Sequence, residues 1–399
     1  MCGIAGFVND MPIDVKCPVL QRMTDMIAHR GPDSEGHYID EHAALGHRRL
    51  SIIDLGGGQQ PIYNEDGSKV ITFNGEIYNY QTLREELIAA GHTFTTKSDT
   101  EVLLHGYEQW GVDLLQRVRG MFTFVIWDKN EQELFGARDH FGIKPFYYAK
   151  MNGTFMYASE IKSLLRHPDF VKELNAEALK PYMTFQYPAI GETFFKGVYK
   201  LPEGHYFTYR DGKMDIHRYY DEDFREGKQK LGELVNSIDQ TVCDSVKAHQ
   251  IADVEVGSFL SSGVDSSYVA AVARPQHTYS IGFGKGTYNE SQQAGELAEL
   301  LKLNNTAESL TDEEAFAAFP RIQWHLDEPD SNPSCVPLYF LSALAAKDVK
   351  VVLSGEGADE LFAGYIDYGV HTKFRPIKVV TRWLTHLPAG ARKAIARFC

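Results

Sequence analysis

A chain of 399 residues is longer than one ordinary hydrophobic core supports, and it predicts two or three domains. Its 43% hydrophobic and 24% charged content is that of a water-soluble globular protein, and a net charge of −14 argues against a nucleic-acid surface. No run of ~18 apolar residues predicts a membrane span, and no basic stretch followed by an apolar one predicts a secretory leader. Cys2, Cys17, Cys243, Cys335 and Cys399 lack CxxC spacing, so neither a zinc site nor a disulfide framework is indicated. The expectation is a reduced, cytoplasmic protein.

The chain opens MCGIAGFV. Loss of Met1 would leave Cys2 with a thiol and a free α-amino group. Such an amine titrates near ~7.7–8.0 and a thiol near ~8.5, so around neutral pH the amine can take the thiol's proton. This is the arrangement of an N-terminal nucleophile. The alternative at this point is a cysteine on a frayed terminus.

Up to about residue 205 the chain is rich in short segments bounded by Gly, Asn or Asp, which predict antiparallel strands and tight turns. KVITFNGEIYNY, GMFTFVIWD, ELFGARD and GTFMYASE are the clearest. LREELIAAG and TEVLLHGYEQWG carry helical apolar spacing between them, giving an α+β layered domain. The polar text from 211 to 232 predicts a linker after a first domain of residues 1–210. From 233 to 399 strands alternate with helices: LVNSIDQTVCDSVKAH, VEVGSFL, YVAAVA, TYSIGF, SQQAGELAELLKL and KDVKVVL. That alternation predicts a parallel α/β sheet. A last helical region, VVTRWLTHLPAGARKAIARFC, closes the sequence.

Two loops sit where an open parallel sheet binds ligands, beyond the carboxyl ends of strands. SSGVDSS follows VEVGSFL, and SGEGADE follows KDVKVVL. Small residues admit phosphate to backbone N–H groups and to a helix N-terminus. Neither loop is a Walker A or a GxGxxG motif. Asp265 and Asp359 make chemical sense there if Mg²⁺ lies between carboxylate and pyrophosphate. The competing reading is that both are ordinary helix caps.

Taken together, these motifs resemble the bacterial glutamine-hydrolysing asparagine synthetases. MCGIAGF, HRGPDSEG, HRRLSIIDL, FNGEIYNY, SDTE, RDHFGIKPFYY and YASEIKSL occur in the order of a class II glutamine amidotransferase. LSSGVDSS, SIGF and LSGEGADELFAGY are similar to the ATP-pyrophosphatase-type synthetase domain. The resemblance implies an N-terminal nucleophile hydrolase, an αββα sandwich of antiparallel sheets, followed by an adenine-nucleotide-binding α/β domain. It further implies the conversion of ATP, aspartate and glutamine to asparagine, glutamate, AMP and diphosphate, in a homodimer.

The residue roles it implies are as follows. Cys2 attacks the glutamine amide, with Asn74 and the N–H of Gly75 as oxyanion hole. Arg49 holds the substrate carboxylate, Glu76 and Asp99 hold its ammonium end, and Leu50, Ser51, Ile52 and Ile53 line the pocket. A surface ion pair is the competing reading of Arg49 and Asp99. In the second half Leu260 and Ile281 contact the nucleoside of ATP. Ser261, Ser262, Gly263, Asp265, Ser266 and Ser267 hold the pyrophosphate with Ser354 and Gly355. Glu356 assists formation of β-aspartyl-AMP, Asp265 and Asp359 bind Mg²⁺, and ammonia passes internally between the sites.

The sequence departs from the family pattern twice. Ser262 stands where SGGxDSS has its first glycine, a strained choice if that backbone needs positive φ. The family's chains also usually continue past SGEGADELFAGY to a later catalytic lysine that no motif here supplies. The expectation is a fragment or an impaired synthetase. Three alternatives stay open: a related amidotransferase with another acid acceptor, a glutaminase alone, or a non-catalytic regulator. β-Lactam-forming relatives lack the N-terminal cysteine. Phosphoribosyl and sugar-phosphate amidotransferases share only the first half.

Overall fold

A computed structural model describes residues 1–187, 189–225, 227–283, 290–365 and 368. The helical region expected near the end of the chain lies outside the described residues.

The first half is built on two six-stranded antiparallel sheets. One contains β1 (Gly3–Val8), β2 (Ser34–Ile39), β3 (Ala43–Arg49), β8 (Tyr147–Met151), β9 (Thr154–Ala158) and β10 (Val198–Lys200), in the order β10-β8-β9-β1-β3-β2. The other contains β4 (Ile62–Tyr63), β5 (Lys69–Ile77), β6 (Gly120–Asp128), β7 (Glu133–Arg138), β11 (His205–Arg210) and β12 (Lys213–Arg218), in the order β12-β11-β7-β6-β5-β4. Ile4, Leu45, Phe155 and Tyr157 of the first sheet pack against Val70, Val125, Trp127 and Phe207 of the second. The outer faces are covered by helices. α1 (Ile13–Asp25) and α4 (Ile161–Leu164) lie on the first sheet, α2 (Tyr80–Ala89) and α3 (Asp99–Trp110) on the second. Strands between a sheet and a helix layer are buried on both faces, which is why GIAGFV and FTFVIW read as continuous apolar runs rather than alternating ones. α5 (Leu179–Phe185) follows, and the result is the expected four-layer αββα sandwich.

α6 (Leu231–Ala248) leads into a four-stranded parallel sheet. Its strands are β13 (Val256–Phe259), β14 (His277–Phe283), β15 (Asn304–Leu310) and β16 (Val351–Leu353), ordered β15-β14-β13-β16. α7 (Val264–Ala273), α8 (Glu290–Leu301), α9 (Asp312–Leu326), α10 (Cys335–Ala345) and the one-turn α11 (Ala358–Phe362) accompany it. α7 and α8 form one apolar cluster with Leu260, while Leu344 and Ala345 of α10 pack on Tyr279 in another.

The two halves meet through direct hydrogen bonds. The N–H of Asp253 donates to Ile52 O at 2.9 Å, and that of Asp54 donates back to Asp253 Oδ2 at 2.7 Å. The N–H of Ile161 donates to Asp327 Oδ2 at 2.6 Å, and that of Phe194 to Glu328 Oε1 at 2.9 Å.

The linker reading needs one adjustment. Residues 213–218 form the edge strand β12, paired with β11 along its whole length. Both of its faces are largely exposed, so no apolar alternation marks it.

Candidate active site

Cys2 immediately precedes β1, and pairing of Gly3 with Arg48 sets it beside the end of β3. Arg30 fixes the Cys2 backbone, its Nε donating to the Cys2 carbonyl at 2.9 Å while Nη1 pairs with Glu160 at 2.9 Å. A Cβ on Gly31 would come within 2.2 Å of the Arg48 carbonyl carbon, so the HRGP turn can close on β3 only as glycine. The N–H of Leu50 donates to Cys2 Sγ at 3.4 Å. Burial pushes the thiol's pKa up, that hydrogen bond pulls it back, and the charges of Glu76 and Asp99 push it further up.

Arg49 ends β3 and turns its guanidinium inward, where Nη2 donates to Ile53 O at 3.0 Å and Asp54 O at 2.7 Å. Leu50, Ser51, Ile52 and Ile53 therefore fold as a loop around that guanidinium. Asp33 secures the loop from outside by accepting from the Ser51 N–H at 2.8 Å. Arg49 and Asp99 are each 5% exposed, and neither is in an ion pair among the described residues. Both facts speak against the surface ion-pair reading.

β5 brings Asn74, Gly75 and Glu76 to the same region, and the Ile77 N–H donates to Asp99 Oδ2 at 3.0 Å. Asp99 opens α3, whose N-cap Ser98 accepts from the Thr100 N–H at 3.1 Å. A Cβ at Gly75 would lie 2.2 Å from the Met121 carbonyl, so β6 leaves no room for a side chain there. Asn74 is fully buried, yet among the described residues neither its amide nitrogen nor its oxygen has a partner, and Glu76 Oε2 is likewise unpaired. Buried polar groups are normally bonded, so these atoms are left for something that enters.

The charge balance points the same way. Burial raises Asp99 to about 6, and burial together with Asp99's charge holds Glu76 well above the usual carboxylate range. Lys144, 1% exposed, is lowered to about 8 by burial while the Glu76 charge opposes that fall. Its ammonium contacts the sulfur of Met1. Asp99's charge bears directly on Glu76, and a cation entering beside the two carboxylates would relieve that repulsion.

A second site lies at the opposite end of the chain. β13 and β16 are parallel neighbours, with Ser258 opposite Leu353, so the loops after them emerge side by side. The sheet order reverses direction there, which makes this the crevice where open α/β sheets bind ligands. Leu260 is buried, its N–H donating to Tyr279 O at 2.9 Å and its carbonyl accepting from Ser280 Oγ at 2.8 Å. Ile281 follows on β14, half-buried. Ser261 and Ser266 share a 2.7 Å hydrogen bond, the Gly263 N–H donates to Ser261 Oγ at 3.1 Å, and Ser267 Oγ donates to Gly263 O at 2.6 Å. Ser262 lies outside the left-handed region, so its side chain brings no backbone strain. The loops touch: a Cβ at Gly355 would fall 2.7 Å from the Ser266 nitrogen and 2.9 Å from Asp265 Cβ. Ser354 and Glu356 are exposed around it, and Asp265 and Asp359 stand in the first turns of α7 and α11.

The structure thus gathers Cys2, Arg49–Ile53, Asn74–Glu76 and Asp99 at one place. It gathers Leu260–Ser267, Ile281, Ser354–Glu356 and Asp359 at another. Sequence reasoning missed Lys144 and Arg30 as parts of the first site, although both lie within motifs that were visible, HFGIKP and HRGP.

Comparison with known proteins finds two family domains in the chain. A glutamine amidotransferase domain matches residues 1–220 and an asparagine synthase domain residues 237–394. Asparagine synthetase [glutamine-hydrolyzing] 1 of Bacillus subtilis is 42% identical over 99% of this chain and 62% of its own length. A putative asparagine synthetase [glutamine-hydrolyzing] of Mycobacterium bovis is 38% identical, and 64% of it is covered. The chain therefore spans less than two thirds of these two relatives. A putative asparagine synthetase [glutamine-hydrolyzing] 2 of Methanocaldococcus jannaschii is 34% identical over 92% of this chain and 76% of its own. By those matches, and by carrying both domains in order, the chain belongs to the glutamine-hydrolysing asparagine synthetase family.

Proposed function

We propose that the chain transfers the amide nitrogen of glutamine to aspartate at the expense of ATP. The observation that carries this reading is Asn74, wholly buried with both amide atoms unpaired, on the strand beside the nucleophile's pocket. Cys2, once Met1 is removed, adds to the glutamine amide carbon as its own amine takes the thiol proton. Asn74 and the Gly75 N–H receive the oxyanion, and collapse expels ammonia to leave a thioester that water hydrolyses to glutamate. Arg49 binds the substrate carboxylate. The substrate's ammonium lies against Glu76 and Asp99.

In the crevice, ATP's phosphates rest on the 261–267 loop with Ser354 and Gly355, and the nucleoside lies against Leu260 and Ile281. Aspartate's carboxylate oxygen attacks the α-phosphorus, diphosphate leaves, and ammonia displaces AMP from the acyl phosphate; Glu356 assists the first of these steps. Asp265 and Asp359 form a hard oxygen donor set on adjoining loops, which fits Mg²⁺. That ion supplies charge neutralisation to the phosphates. The functional boundaries are residues 1–210, a 211–232 linker that includes the pairing strand β12, and 233–399. The working form is a cytoplasmic homodimer; no described helix is long and apolar enough to cross a membrane.

The test measures glutamate release and diphosphate release separately. Cys2→Ala abolishes glutamate formation and leaves diphosphate release supported by aspartate, ATP and ammonia unchanged. Loss of both activities in that variant, or of neither, overturns the two-site assignment.

A further inference from the structure

Four side chains distant in sequence converge outside both sites. Glu65 lies in the turn between β4 and β5, His92 in the connection after α2, and His105 and Glu108 one turn apart on α3. Their ligand-type atoms all lie within 4.8 Å of one another. His92 Nδ1 is 3.1 Å from Glu65 Oε1, and His105 Nδ1 is 3.3 Å from Glu65 Oε2 and 3.2 Å from Glu108 Oε2. Tetrahedral zinc, with bonds of ~2.0–2.1 Å, holds its ligand atoms roughly 3.3–3.4 Å apart. Taking one atom from each residue, the two contacts of His105 Nδ1, with Glu65 Oε2 and Glu108 Oε2, already have the span of such an edge. Glu65, with 37% of its side chain exposed, has the freedom to close the rest.

We propose that Glu65, His92, His105 and Glu108 form a structural site for one divalent transition-metal ion of the zinc type. The charge count favours it over a plain ion-pair network. Glu65, Glu101 and Glu108 all face His105, whose side chain is wholly buried. Protonation of His105 alone leaves those carboxylates short of positive charge, and a divalent ion carries the charge that His92, beside Glu65, would otherwise have to share by protonating as well.

The surroundings are those of a built site. With Nδ1 on the metal, His105 turns Nε2–H toward Glu101 Oε1 at 3.5 Å, where Nε2 has no better partner. A carboxylate behind a ligating histidine fixes its tautomer and orientation. Glu101 is itself held by the N–H groups of Thr95 and Thr96, each at 2.7 Å. Asn64 Nδ2 donates to Glu108 Oε1 at 2.7 Å, and the Thr93 N–H to Glu65 Oε1 at 3.1 Å. Two imidazole nitrogens and two carboxylates suit Zn²⁺ or Co²⁺ better than Mg²⁺ or Ca²⁺, which prefer an all-oxygen shell. The ion would pin the β4–β5 turn and the α2–α3 connection onto α3, the helix that begins with Asp99.

Co²⁺ is the probe. The full chain carrying Cys2→Ala, stripped with chelator, is titrated with cobalt chloride in the absence of nucleotide and Mg²⁺. The expected result is saturation at one Co²⁺ per chain, with visible bands of four-coordinate intensity, no thiolate charge-transfer band, and displacement by equimolar Zn²⁺. Glu65→Gln and His92→Ala should each weaken binding by more than about tenfold with an unchanged circular dichroism spectrum. Absence of saturable visible bands, or bands that survive both substitutions, overturns the proposal and leaves an imidazolium–carboxylate network.

Discussion

Under the proposed function, the two candidate sites recognise their ligands by opposite means. In the first, the side chains of Arg49, Asn74, Asp99 and Lys144 are each at most 5% exposed, held between antiparallel sheets and their helices. In the second, the contacts come from serine hydroxyls and backbone groups of two loops on a parallel sheet. An amino acid carries one charge of each sign, and a buried, charged pocket can distinguish its two ends. A polyphosphate carries one sign throughout, and small residues admit it to many N–H groups at once. Buried side-chain recognition should therefore be sensitive to protonation and to loss of single groups. Loop recognition should be sensitive to backbone spacing.

Three experiments sharpen that contrast. The largest effect is expected for Asn74→Ala, which removes the proposed oxyanion donor and should lower kcat for glutamate release about 10²–10³-fold. Steady-state assay of both half-reactions checks it, and an equal fall in ammonia-dependent diphosphate release would refute the separation of sites. Next is Gly355→Ala. Its new methyl group would meet the Ser266 nitrogen at 2.7 Å and force the loops apart. Overpacking of this kind costs about 1–3 kcal/mol, so the KM for ATP should rise roughly tenfold while glutaminase activity holds. The smallest is a pH effect. Asp99 titrates at about 6 in the ligand-free pocket and must be charged to receive an ammonium group. The KM for glutamine should therefore climb as pH falls through that value, by about fourfold between pH 7 and 5.5, with kcat less affected. A KM for ATP that tracks it would break the comparison.

How much of this was legible in the sequence follows the same divide. Cys2, Arg49, Asn74 and Asp99 lie in short ordered motifs, and so do the two serine–glycine loops, so resemblance is enough to nominate them. The burial that makes Lys144 and Arg30 matter is a property of packed sheets, and no local pattern encodes it. β12 went unseen because an edge strand exposed on both faces has no apolar period. α10 is apolar on nearly every side, so it lacks the one-sided stripe that marks a helix. Glu65, His92, His105 and Glu108 are spread over three elements without a metal-ligand spacing, and only the fold brings them together.

The hydrogen bonds between Asp253 and the loop at Ile52 and Asp54 limit how this protein can be taken apart. Three of the four groups involved are backbone, so substitution of the side chains at 52 or 54 leaves the seam intact. Cutting the chain does not. A glutaminase excised at the end of β12 would expose the outer wall of its own pocket to water at the Ile52 carbonyl and the Asp54 N–H. A chimera joining this first half to a foreign partner would need a residue that both donates and accepts at the position of Asp253. In engineering terms, the boundary between the halves is a poor place to splice, and the loop that wraps Arg49 belongs to both.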